Sequence, residues 1–185
     1  MPEHYLAKML KETSEHFDGD FGNWGRIYRK GHIGVTEPFT FEERRELRKL
    51  AAAGPFKIGE CYMNAQILAG LTDQRFRYIE GFTMVHGVLI SHAWLEFNGK
   101  VFDPTLKSLK TWKDKQGIEN REYYGMEVPK DLIPQNQLKM KTYSPLTEWP
   151  SPFAAQLLRE DKDDVKNEKE TKDAGEADTA TSRPA

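Results

Sequence analysis

The chain has 185 residues, with 27 basic and 29 acidic side chains and a formal net charge of −2, so it lacks the basic excess that nucleic-acid binding draws on. No apolar run approaches the ~20 residues of a membrane span, and charged residues interrupt the opening stretch in a way a signal peptide does not tolerate. A single cysteine rules out an internal disulfide, and a reducing, cytoplasmic setting is the expectation.

The first seventeen residues read as an amphipathic helix with Tyr5, Leu6, Met9 and Leu10 on one side. The glycine-rich, aromatic stretch from Asp18 to Phe39 reads as loop with short extended pieces. A second helix is expected from Thr40, which offers its hydroxyl as N-cap with Glu43 as capping-box partner. Leu47 and Leu50 share one face, and Gly54-Pro55 ends it. After Gly59 and Glu60, Cys61 opens a helical run through Ala65, Ile67, Leu68 and Leu71. Residues 75–82 alternate and are rich in β-formers, so a strand is predicted, and a longer strand is predicted over Val85 to Phe97. The Asn98-Gly99 turn sends the chain back through Val101 to Thr105. Beyond that, to about Phe153, helical turns mix with prolines, and Tyr123, Tyr124, Trp149 and Phe153 are expected to pack this segment on the core. From Arg159 the chain is densely charged, with one Val and no other large apolar residue, which predicts a disordered tail over 159–185 behind a single domain of residues 1–158.

Asn-Gly between two β-rich runs specifies a two-residue type I′ hairpin, in which both turn residues take positive φ. That turn fixes the register. Phe97 faces Lys100, Trp94 faces Asp103 and His92 faces Thr105. Strand side chains alternate between faces, so His92, Trp94, Asp103 and Thr105 share one face, with His92 and Asp103 diagonal neighbours. A slip of one residue would separate them. Taken alone, such a pair is more often structural than catalytic. Cys61, taken alone, reads more readily as a small buried hydrophobe than as a nucleophile. A thiol at a helix N-terminus, however, meets the positive end of the macrodipole and unpaired N–H groups, which favour the nucleophilic thiolate. The coincidence of helix-opening cysteine, strand histidine and next-strand aspartate, in that order, favours nucleophilic catalysis.

These residues resemble the transglutaminase-like branch of the papain-like cysteine-enzyme superfamily. Gly59-Glu60-Cys61-Tyr62-Met63-Asn64-Ala65 is similar to the family's nucleophile segment, and Arg77-Tyr78-Ile79-Glu80-Gly81-Phe82 to the strand after that helix. His92-Ala93-Trp94-Leu95-Glu96 and Phe102-Asp103-Pro104-Thr105 are similar to its histidine and aspartate strands. The likeness spans residues 56–106. It implies an α+β fold in which the helix bearing the cysteine packs on an antiparallel sheet bearing the histidine and aspartate. It also implies a cofactor-free Cys-His-Asp triad, with Cys61 as nucleophile, His92 as general base and acid, and Asp103 as orienting carboxylate. The chain departs from the family pattern in its short histidine-to-aspartate connection and in Lys100-Val101-Phe102, which stand where a tryptophan is common.

The backbone N–H of Cys61 is one oxyanion donor on this reading. For the second, Trp24, Asn23 and Tyr28 are candidates. Trp94 either shields the His–Asp bond from water or is plain core. His86, placed by parity on the face of His92, either lines the cleft or is solvated. Asn64 is expected to cap or pack locally. A metal site of His86, His92 and Asp103 lacks ligand spacing. The expected substrate is a peptide, a protein or a small amide, with no nucleic-acid or membrane partner. The thioester is resolved either by water, as in a peptidase or amidase, or by an amine, as in a transglutaminase or an arylamine N-acetyltransferase. The rival from another class is a non-catalytic binding module that keeps the fold.

Overall fold

A computed structural model describes residues 4–16, 24–52, 54, 56–85, 87–105, 121–148 and 150–158. The expected tail over 159–185, His86, Asn23 and Trp149 lie outside the described residues. The architecture is α+β. In chain order the elements are α1 (Tyr5–His16), α2 (Trp24–Lys30), β1 (His32–Ile33), α3 (Phe41–Ala51), α4 (Cys61–Gly70), β2 (Phe76–Val85), β3 (Val88–Phe97), β4 (Lys100–Phe102), β5 (Tyr123–Glu127), α5 (Leu132–Met140) and α6 (Ala154–Leu157).

The capping box at α3 is present in both directions. Thr40 Oγ1 accepts the Glu43 N–H at 3.2 Å, and Glu43 Oε2 accepts the Thr40 N–H at 2.7 Å. Glu43 also reaches across to the hairpin turn, accepting from Asn98 Nδ2 and Lys100 Nζ at 3.1 Å each. Burial raises the Glu43 carboxyl pKa, but the Thr40 N–H, Asn98 and Lys100 outweigh it and bring it down to about 2. The helix ends at Ala51, ahead of Gly54.

The sheet has five strands in the order β1-β5-β2-β3-β4, every neighbouring pair antiparallel. Past β1, Val35 pairs with Lys100 on β4, and the Val101 N–H donates to Val35 O at 2.7 Å. Gly34 on the same segment donates to Tyr123 O at 2.9 Å. The two margins of the sheet therefore meet, and the sheet curls into a small barrel. Ile79, Trp94, Val101 and Tyr123 fill its interior as one fully buried cluster, as a barrel of so few strands requires. Gly81 and Gly125 face each other across the β2–β5 ladder; Gly125 leaves room for the Trp94 indole, and Gly81 for the close approach of the Tyr124 carbonyl.

Helices cover the outer face. Ala65, Leu68 and Ala69 of α4 pack on Tyr78, Ala93, Leu95 and Phe97, and Leu47 of α3 joins the same cluster. Leu6, Leu10 and Ile27 from α1 and α2 pack on Phe82, Tyr124 and Met126. Each fully buried Leu or Ile contributes about 1.5–3 kcal/mol. No helix among the described residues is long and apolar enough to cross a membrane.

Four expectations need correction. Tyr5, placed on the apolar side of the first helix, is 59% exposed, while Leu6 and Leu10 are fully buried. The stretch expected to be loop contains α2, whose short length and internal Gly25 hide it from periodicity. It is held by burial of Ile27, and the Tyr124 hydroxyl donates to the carbonyls of Tyr28 (2.8 Å) and Gly31 (3.2 Å) at its end. The longer strand starts at Val88, because Val85 ends β2 and pairs with Val88 across a hairpin in which Gly87 has φ +78°. Finally, residues 123–127 form β5 in the middle of the sheet, between β1 and β2.

Candidate active site

The hairpin turn takes the conformation its sequence demands: Asn98 has φ 51° and Gly99 φ 76°. The register follows, with Phe97 opposite Lys100, Glu96 opposite Val101 and Leu95 opposite Phe102. His92 and Asp103 thus fall on the inner face, and His92 Nε2 lies 2.7 Å from Asp103 Oδ2. Both are buried, at 1% and 0% exposure.

Asp103 is held from three directions. Its Oδ2 takes the His92 ring and the Tyr123 hydroxyl at 2.8 Å, and its Oδ1 accepts the Thr105 N–H at 2.8 Å. Because Nε2 faces the carboxylate, Nδ1 is the ring nitrogen left for a second partner. The Cys61 side chain is among the groups that favour the charged form of this ring. Burial opposes protonation of His92, but the Asp103 charge, its hydrogen bond and the Cys61 sulfur prevail and raise the imidazole pKa to about 10. Cys61 is the first residue of α4 and is partly exposed. At that position its N–H has no acceptor within the helix.

Asn64, one turn into α4, does more than cap locally. Fully buried, it donates to Lys57 O (2.8 Å) and Thr105 Oγ1 (2.8 Å), and its Oδ1 accepts the Lys57 N–H (3.1 Å). It therefore ties the loop before Cys61 to the turn after Asp103. Trp94 is fully buried in the barrel, its indole stacked at 6.3 Å on His92, so it lies beside the His–Asp bond as well as in the core. Its Nε1 has no hydrogen-bond partner among the described residues.

Of the oxyanion candidates, Trp24 lies on α2, and Tyr28 stacks at 5.7 Å on Tyr124, on the outer side of the sheet rather than beside His92. No group of three or more His, Cys, Asp and Glu side chains among the described residues is arranged to hold a metal ion. At the opposite end of the barrel interior, Glu96 is buried and takes His32 Nε2 at 2.8 Å and an Arg77 guanidinium nitrogen, which closes that end with compensated charge.

Sequence reasoning missed Tyr123. Its partner in the site, Asp103, lies 20 residues away in sequence just past β4, and nothing local to Tyr123-Tyr124-Gly125 marks which tyrosine turns inward. No family model, curated protein or solved structure matches the chain.

Proposed function

We propose that the chain is a thiol-dependent enzyme with a transglutaminase-like core, which cleaves or transfers an amide or related acyl group through a thioester on Cys61. The observation that carries this reading is a buried His92 with one ring nitrogen on Asp103, and with the thiol at the start of α4 among the groups acting on the same ring. The ring takes the Cys61 proton, and an imidazole pKa raised to about 10 keeps it there at neutral pH, so the ring next acts as an acid. The sulfur attacks the carbonyl carbon, and the Cys61 N–H receives the charge that develops on oxygen. As the C–N bond breaks, the imidazolium gives its proton to the departing amine. The now neutral ring takes a proton from water, which attacks the thioester and releases the acid and the free thiol. An incoming amine in place of water gives acyl transfer. Hydrolysis is the preferred form, since water is always at hand. Asp103 holds the ring throughout.

The test uses a thiol-reactive probe on the full chain. Cys61 labels rapidly near neutral pH, and His92→Ala slows labelling at least tenfold in a protein that stays folded. Equally slow labelling of both proteins overturns the reading and leaves the binding module. Mass spectrometry for an acyl adduct on Cys61 after exposure to lysate then reports the substrate, and an added amine separates transfer from hydrolysis.

A further inference from the structure

We propose that Tyr123 is a positioning residue of this site, its phenol O–H fixing the Asp103 carboxylate that orients His92. The inference rests on the reading of Cys61, His92 and Asp103 given above. Tyr123 Oη donates to Asp103 Oδ2 at 2.8 Å, the same oxygen that takes His92 Nε2 at 2.7 Å, so one atom collects both hydrogen bonds. The phenol is fully buried, its ring centroid is 6.3 Å from that of His92, and it meets Trp94 edge-on at 5.2 Å. A tyrosine serving only to fill the barrel would need no hydroxyl on a carboxylate. Burial and the neighbouring Asp103 charge push the phenol well above its ordinary pKa, so it remains a donor wherever the site works.

The placement comes from the sheet. β5 lies next to β2, Tyr123 pairs with Thr83, and the Thr83 hydroxyl donates to Glu122 O at 2.8 Å, which steadies the backbone just before the tyrosine. Among the described residues, the charged and titratable groups acting on this cluster include Asp103 and Cys61 on His92, and Asp103 and Arg121 on Tyr123. The phenol has a chemical consequence as well as a geometric one. A donor on Oδ2 draws charge from the carboxylate and so moderates how firmly Asp103 holds the imidazolium proton. Without it, the carboxylate is more basic and the ring gives up its proton at higher pH.

The experiment is an NMR titration of His92 in the full chain, wild type against Tyr123→Phe, with circular dichroism as the control for folding. The expected result is a folded variant whose His92 midpoint moves up by roughly half a pH unit. In an Asp103→Asn background the same substitution produces no movement, because the carboxylate it acts through is gone. An unchanged midpoint in a folded Tyr123→Phe overturns the proposal and leaves the phenol a packing group. If that variant does not fold, 3-fluorotyrosine incorporation decides. The more acidic phenol is a stronger donor and moves the midpoint down, and an unmoved midpoint overturns the proposal. The titration needs no turnover, so its outcome is independent of whether Cys61 proves reactive.

Discussion

His92 and Asp103 form a buried pair whose Nε2 and Oδ2 atoms are 2.7 Å apart, across the diagonal of a hairpin that a two-residue turn sets. Replacing the carboxylate by an amide, Asp103→Asn, keeps the shape and removes the charge that most raises the imidazole pKa. The expected result is a His92 midpoint that falls well below 10 and a Cys61 alkylation rate at neutral pH lower by on the order of tenfold. A midpoint that stays near 10 on NMR titration would show that Asp103 does not hold the ring.

The same pair predicts a pH dependence of stability. His92 has a folded pKa of about 10, against about 6.5 in an unfolded chain. A raised pKa stabilises the fold fully below the unfolded value, and that contribution is lost as pH rises through the folded value. Unfolding free energy should therefore decline between about pH 6.5 and 10, and it should decline less in His92→Gln. Denaturant titrations of both proteins at pH 7 and pH 9.5 measure the difference, and parallel curves would contradict it.

Gly125 is a packing requirement rather than a turn. A methyl group there would sit 2.6 Å from Trp94 Cη2 and 2.7 Å from Glu80 O. Gly125→Ala is expected to cost about 1–3 kcal/mol by overpacking, read as a lowered midpoint of thermal unfolding. Because Trp94 stacks beside His92, the variant should also alter tryptophan fluorescence. Wild-type stability in the variant would mean that the indole has space to retreat.

Glu80 straps a distant segment to the outer face of the sheet. Fully buried, it accepts the Leu146 N–H (2.8 Å), the Thr147 N–H (2.8 Å), the Thr147 hydroxyl (2.7 Å) and the Tyr78 hydroxyl (2.7 Å). Burial dominates and raises its pKa in spite of these donors. Glu80→Ala leaves two backbone N–H groups without an acceptor, at about 1–3 kcal/mol each. Hydrogen exchange should show the amides of Leu146 and Thr147 losing protection before the rest of the sheet, and unchanged protection would refute the strap.

What could be read from the sequence was local. Thr40 and Glu43 sit three residues apart and carry a whole capping box; Asn98-Gly99 dictates its own dihedral angles, and those fix which side chains share a face. His92, Asp103 and the helix-opening Cys61 were legible for that reason. β5 was not, since Tyr123-Tyr124-Gly125-Met126-Glu127 has a glycine at its centre and gains its strand identity from β1 and β2 on either side. α2 was hidden likewise, because tertiary burial of Ile27, not periodicity, sustains it. The clamp role of Asn64 needed coordinates too, as Thr105 lies 41 residues away.

Strands at the rim of an open sheet display unpaired backbone groups to which another molecule can add, the usual beginning of aggregation. In this chain β1 is followed by Val35, whose carbonyl receives the Val101 N–H from β4. The two outermost strands thereby occupy one another. A fold that keeps a buried polar cluster inside its barrel gains from this arrangement a guard against edge-to-edge polymerisation.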